Sequence, residues 1–142
     1  MDFICDAPGG KTWFKLLNEA EAAEESSLMG HAVEKHFLRF RDAAVVSYAP
    51  PMSLPYIERD IGLNDHVRRT MPTFLTLRDG DGHALATAML PPAGVPDDRF
   101  HCIIVGVANT DPWPEHAKAI EALARHFKIT LDRAHCYPYR QR

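Results

Sequence analysis

The chain has 142 residues, 46% hydrophobic and 25% charged, with 16 Lys and Arg against 19 Asp and Glu for a net charge of −3. That length and balance fit one domain, residues 1–142, able to bury its own core, and exclude a disordered, collagen-like or coiled-coil rod chain. The slight acid excess argues against binding by displacement of counterions, so no nucleic-acid partner is expected.

The first residues, Met1-Asp2-Phe3-Ile4-Cys5-Asp6, lack the basic and apolar regions of a signal peptide. The longest uncharged stretch, 43–57, holds Pro50, Pro51 and Pro55 and falls short of the ~20 apolar residues of a membrane span. No membrane association is expected, and the location expected is the cytoplasm. Cys5, Cys102 and Cys136 are odd in number and form no Cys-x-x-Cys pair. They read as small buried thiols in a reducing compartment rather than as a disulfide or zinc framework.

In chain order, Phe3–Cys5 and Thr12–Leu16 flank Pro8-Gly9-Gly10, which predicts a β-hairpin. Asn18 with Glu21 three residues on resembles a capping box. From there a helical pattern runs to Tyr48, with Ala22, Ser26, Met29, Val33, Phe37, Phe40, Ala44 and Tyr48 on one face. Glu19, Glu21, Glu24 and Glu25 crowd its start, where they suit the helix dipole. Pro50-Pro51 ends it. Some thirty residues would span roughly 45 Å, more than the roughly 30–35 Å of a compact domain. The helix must therefore break, with Gly30 the natural place, or project an apolar stripe that needs a partner.

Ser53–Met71 predicts one or two short helices, with Ser53 able to cap the first and Asn64 or Asp65 the second. Thr73–Arg78 and Ala84–Leu90 predict strands joined by the turn Asp79-Gly80-Asp81-Gly82. Pro91–Asp98 reads as a loop. Phe100–Val107 reads as a strand apolar on both faces, hence central. Asp111–Phe127 predicts a helix with Ala117, Ile120, Leu123, Ala124 and Phe127 inward, and Ala134–Tyr137 a short final strand. The class expected is α+β: a partly antiparallel sheet with a long N-terminal helix and a C-terminal helix packed on it.

Cys5-Asp6-Ala7-Pro8-Gly9-Gly10-Lys11-Thr12 resembles the first motif of the RNA 5-methylcytosine methyltransferases, in which a strand ends in an Ala-Pro-Gly-Gly-Lys-Thr loop. The resemblance implies that the backbone at Gly9, Gly10, Lys11 and Thr12 approaches S-adenosylmethionine. Asn109-Thr110-Asp111-Pro112-Trp113 loosely resembles the Asp-Pro-Pro-Trp motif of amino methyltransferases, without its second proline. A nucleotide-binding fold also places a second strand with an acidic end about twenty residues beyond such a loop, and that window lies inside the helical pattern. Gly10-Lys11-Thr12 ends like a Walker A motif, but Cys5 stands where its first glycine belongs.

The 8 histidines include no His-x-x-x-His and no His-Glu-x-x-His. His31 and Glu34 could share a helix face, and Cys102 and Cys136 could meet across strands. Asp79 and Asp81 suggest a calcium loop only until its twelfth position, which is Leu90. No catalytic set, metal site or cofactor is assigned. The expectation is a small non-catalytic binding or regulatory domain, homodimeric through Val33, Phe37, Phe40 and Ala44 on the long helix, with a protein partner also open. The alternatives are a methyltransferase-like enzyme using Gly9–Thr12 and a His-rich metal- or small-ligand-binding protein.

Overall fold

The computed structural model describes residues 1–50, 52–92 and 102–139. The Pro8-Gly9-Gly10 turn joins β1 (Asp2–Ala7) to β2 (Lys11–Lys15), with Gly9 and Gly10 at φ of 83° and 72°, left-handed values that glycine adopts without strain. Three helices follow: α1 (Glu19–Met29), α2 (Val33–Ser47) and α3 (Tyr56–Thr70). The chain then returns as β3 (Thr73–Arg78), β4 (Ala84–Leu90) and β5 (Ile103–Gly106). It closes with α4 (Trp113–Phe127) and the short α5 (Arg133–Cys136). The five strands form one antiparallel sheet in the order β1-β2-β3-β4-β5. The α+β class read from the sequence is therefore correct, and the sheet is antiparallel throughout.

Alternation along the strands gives the sheet two buried faces. One presents Trp13, Leu75, Leu77, Ala86, Ala88 and Ile104 to Ala119, Ile120 and Leu123 of α4. Trp13 is fully buried, and its indole N–H donates to the Ala119 carbonyl at 2.8 Å. The other face carries Phe74 and, alternating with it, Thr76 and Arg78. It lies beneath α1 and α2, where Leu16, Ala22, Val33, Phe37, Met71 and Phe74 make a second core. The Phe37 and Phe40 rings stand 5.4 and 6.4 Å from that of Phe74.

The long helical pattern breaks at Gly30. Asn18 caps α1 as the spacing predicts, accepting from the Glu21 amide at 2.9 Å, while the Glu21 carboxylate accepts from Leu17 N–H at 2.7 Å. Gly30 ends α1 at φ 66°, the left-handed conformation that closes helices. Ser26 Oγ then accepts the Glu34 amide at 2.8 Å, so the last turn of α1 helps start α2. Folded back in this way, Val33, Phe37 and Ala44 are buried within the chain and Phe40 packs on the same core. The stripe expected to meet another chain covers this chain's own sheet.

Four local expectations are corrected. Phe100–Val107 is not central: β5 is an edge strand of Ile103–Gly106, apolar on both sides because α4 covers one and a cleft opens on the other. Residues 100 and 101, and 93–98 of the predicted loop, lie outside the described residues. Ala134–Cys136 belong to a short helix, not a strand, which Asp132 caps by accepting the His135 amide at 2.9 Å, and Tyr137 follows it as an extended residue. Ser53 does not cap α3, which begins after Pro55 as one continuous helix. Ala117 is exposed, and His116 and Ala119 take its place on the inner face of α4. Among the described residues no helix is long and apolar enough to cross a membrane.

Candidate ligand cleft and its buried polar chain

The helical face of the sheet holds a polar group that its apolar surroundings would not tolerate alone. Glu25, on the inner face of α1 between Ala22 and Met29, is 0% exposed. It is matched by Arg78 at the end of β3, 8% exposed, whose Nη2 donates to Glu25 Oε1 at 2.8 Å. Arg78 Nε also donates to Thr76 Oγ1 at 3.0 Å, and Nη1 to the Gly82 carbonyl at 3.3 Å. The other carboxylate oxygen accepts from the Thr87 hydroxyl of β4 at 2.5 Å. A buried charge is tolerated when paired and hydrogen-bonded, and here both partners are.

The chain extends one residue further. Thr87 Oγ1 lies 2.8 Å from His31 Nε2. A hydroxyl has one proton, and Thr87 gives it to Glu25, so His31 Nε2 carries a proton and donates. His31 Nδ1 then accepts the Val33 amide at 3.4 Å. The ring is thus set as the neutral Nε2–H tautomer, and burial lowers its pKa below the ordinary histidine value despite the nearby Glu25 charge. Arg78, Glu25, Thr87 and His31 form one continuous path from the β3–β4 turn to the link between α1 and α2.

That path ends in a cleft of about 280 Å³. His31, Ala32, Val33 and His36 roof it, where α1 gives way to α2. Phe74, Thr87, Met89, Ile103 and Val105 make its floor on β3, β4 and β5, and Asn109 and Tyr139 close one end. A tight turn sets Asn109. Gly106 N–H donates to the Thr110 carbonyl at 2.7 Å, and a Cβ on Gly106 would come within 2.8 Å of Thr110 Oγ1. Ala108 and Asn109 take φ of 53° and 61°, uncommon for residues with a side chain. The Tyr137 hydroxyl donates to the Asn109 carbonyl at 2.7 Å and fixes the turn to the segment after α5.

The Gly9–Thr12 loop lies on the opposite side. It joins two antiparallel strands and leads into no helix, so the strand–loop–helix setting of a nucleotide-binding fold is missing around it. Lys11 Nζ reaches α4, donating to His116 Nδ1 at 2.9 Å and to the Glu115 carbonyl at 3.4 Å. Burial, and then the Lys11 charge, lower the His116 pKa. Thr12 Oγ1 donates to Asp6 at 3.4 Å. Gly9, Gly10, Lys11 and Thr12 are thus brought together as a turn, remote from the cleft.

Cys102 and Cys136 are buried in the core under α4, and Cys5 is half-buried. The Cys136 pKa is raised far above the ordinary thiol value by its hydrogen bond to Cys102 and by burial, which keeps it protonated. Among the described residues one group of three metal-ligand side chains comes together, Asp79, Asp81 and His83 in the β3–β4 turn. Asp79 already accepts the Asp81 and His83 amides, both at 2.9 Å, and so shapes the turn itself.

Sequence reasoning assigned neither Glu25, Arg78 nor Thr87. The available signal was the spacing of Ala22, Glu25 and Met29, which sets Glu25 on the same inner face as two buried apolar residues. Comparisons with family models, with curated proteins and with solved structures gave no match, and function must be read from the cleft.

Proposed function

We propose that this chain is a non-catalytic binding domain whose cleft takes a compact, largely apolar small molecule. The observation that carries the reading is the cleft at the break between α1 and α2, apolar on its floor, with polar groups at its roof and end. Such a combination is typical of small-molecule sites. Binding is favoured over catalysis because the buried polar chain that ends in the cleft is already committed. The Thr87 proton goes to Glu25, Arg78 holds Glu25, and both His31 nitrogens have partners. A thermal-shift screen of small hydrophobic compounds, repeated on Ile103→Trp, tests this. Ile103 is half-buried on the edge strand, so the larger ring fills the cleft without displacing the central core. Stabilisation by a ligand should vanish in the variant, whose circular dichroism stays native. Stabilisation that survives would place the ligand elsewhere.

The domain also acts as a homodimer in this reading, through the outer face of α2 and α3 rather than the covered stripe. Val46, Tyr56, Ile57 and Ile61 are 83%, 78%, 74% and 63% exposed. Ile57 and Ile61 stand one turn apart on the same side of α3. Glu58 lies in the first turn of α3, and Arg68 and Arg69 in its last. No residue of α3 is buried, so Ile57→Asp with Ile61→Asp tests association without dismantling the core. Sedimentation should show a wild-type dimer and a folded monomeric variant. A wild-type monomer at tens of micromolar would refute the dimer.

A further inference from the structure

The rim of the cleft has a polarity that its floor lacks. His36, on the second turn of α2, lines the opening, and Arg39 Nη2 lies 3.2 Å from His36 Nδ1. A guanidinium offers only donors, so His36 Nδ1 accepts and the ring's proton sits on Nε2. His36 Nε2–H is then a donor available at the mouth. Burial, and then the Arg39 charge, lower the His36 pKa and maintain this neutral form. Arg39 lies against His36 and the Phe40 ring, its Cζ 5.1 Å from the ring centroid. Among the described residues no carboxylate pairs with it. The neighbouring Arg41, by contrast, meets Glu19 and Asp42.

The acids close in sequence do not cancel this charge. Glu25 is neutralised by Arg78 beneath α1. Glu34 precedes His36 by two residues and so projects from about the opposite side of the helix. His36 at the mouth therefore stands beside an unneutralised guanidinium that lies against it from outside the lining, above a floor of Phe74, Met89, Ile103 and Val105.

We propose that the ligand of this cleft is a compact hydrophobic monocarboxylate. Its carboxylate accepts from His36 Nε2–H beside Arg39, and its hydrocarbon body lies on Phe74, Met89, Ile103 and Val105. The proposal rests on reading the cleft as a small-molecule site and names the chemistry of what enters. Hydrogen bonds to a charged acceptor are the stronger kind, and the guanidinium adds attraction that a neutral head group does not feel.

Matched acid and amide pairs test it: octanoate against octanamide and phenylacetate against phenylacetamide, titrated into the full chain by calorimetry and by amide NMR at pH 7.5. One or both acids should bind at least about tenfold more tightly than the matching amide. Arg39→Gln should weaken the acid about five- to tenfold and leave the amide unchanged, and His36→Gln should weaken both, the acid more. Both residues are exposed, so the variants should keep wild-type circular dichroism. Equal binding of acid and amide overturns the carboxylate assignment and leaves the cleft reading standing. A preference for acids that both variants retain overturns the placement of the head group. No binding by either series at millimolar concentration overturns the cleft reading and this proposal together.

Discussion

Removing the Glu25 carboxylate is the sharpest perturbation of this structure. Glu25 is 0% exposed and Arg78 8%, so solvent screens their contact little. At an effective dielectric constant of about 20, unit charges 2.8 Å apart attract by about 6 kcal/mol. Taking each ion out of water costs several kcal/mol, so the intact pair is close to neutral in net stability. The asymmetry appears when one partner goes. Glu25→Leu leaves Arg78 charged and buried and takes the acceptor from Thr87, and the expected loss is about 3–5 kcal/mol. For a chain of this length that lowers the melting temperature by roughly 10–15 °C. Adding Arg78→Met removes the stranded charge, and Glu25→Leu/Arg78→Met should recover most of the loss. Urea unfolding of the wild type, both single variants and the double variant gives the coupling directly. Thr87→Val, close in shape, leaves one Glu25 oxygen and His31 Nε2 unpaired and should cost about 1–3 kcal/mol. Additive losses in the cycle, with the double variant the least stable of the four, would refute the account of a mutually compensated pair.

Two further predictions follow from the histidines and the hairpin. The pKa values of His31, His36 and His116 all lie below the ordinary histidine value in the folded chain. The unfolded chain therefore takes up protons near pH 6.5 while the folded chain does so only at lower pH. Stability present above that point is lost as pH falls through it. The urea midpoint should drop from pH 7.5 to pH 5.5, less steeply in His31→Gln, and a midpoint constant over that range would contradict the burial of the His31 and His116 rings. Lys11→Ala removes the donor to His116 Nδ1 and should cost about 0.5–1.5 kcal/mol without altering ligand binding in the cleft. Loss of ligand-induced stabilisation in that variant would instead favour the loop as the binding element.

The sequence made the antiparallel class legible where chain chemistry is local. Gly9-Gly10 and the Asp-Gly repeats at 79–82 allow only tight turns between strands, and Asn18 with Glu21 marks the start of α1. What it hid depends on tertiary placement. Phe100–Val107 reads as central because both faces are apolar, yet β5 is an edge strand whose second face lines the cleft. Thr76, Arg78 and Thr87 alternate with apolar neighbours, a pattern that ordinarily marks a solvent face; here α1 covers that face and supplies Glu25. Glu25 follows Glu19, Glu21 and Glu24, and in such an acidic run it reads as one more solvated charge. Only its place beside Ala22 and Met29 separates Glu25 from Glu24, which is exposed.

The break at Gly30 and the buried pair belong to one arrangement. A continuous helix would carry Val33, Phe37 and Ala44 beyond the sheet, and the left-handed turn at Gly30 brings them back onto Phe74. The same turn lifts His31 and Ala32 off the helical path, and they become the roof of the cleft. A roof made from a link between helices would ordinarily be loose. Here His31 is tied to Thr87 on the floor, Thr87 to Glu25 on α1, and Glu25 to Arg78 on β3. Roof and floor are thereby held in register before any ligand arrives, which reduces the ordering a ligand must impose on binding. The charge buried beneath α1 adds little net stability, and what it contributes with Thr87 is a hydrogen-bonded tie between the roof and the floor of the cleft.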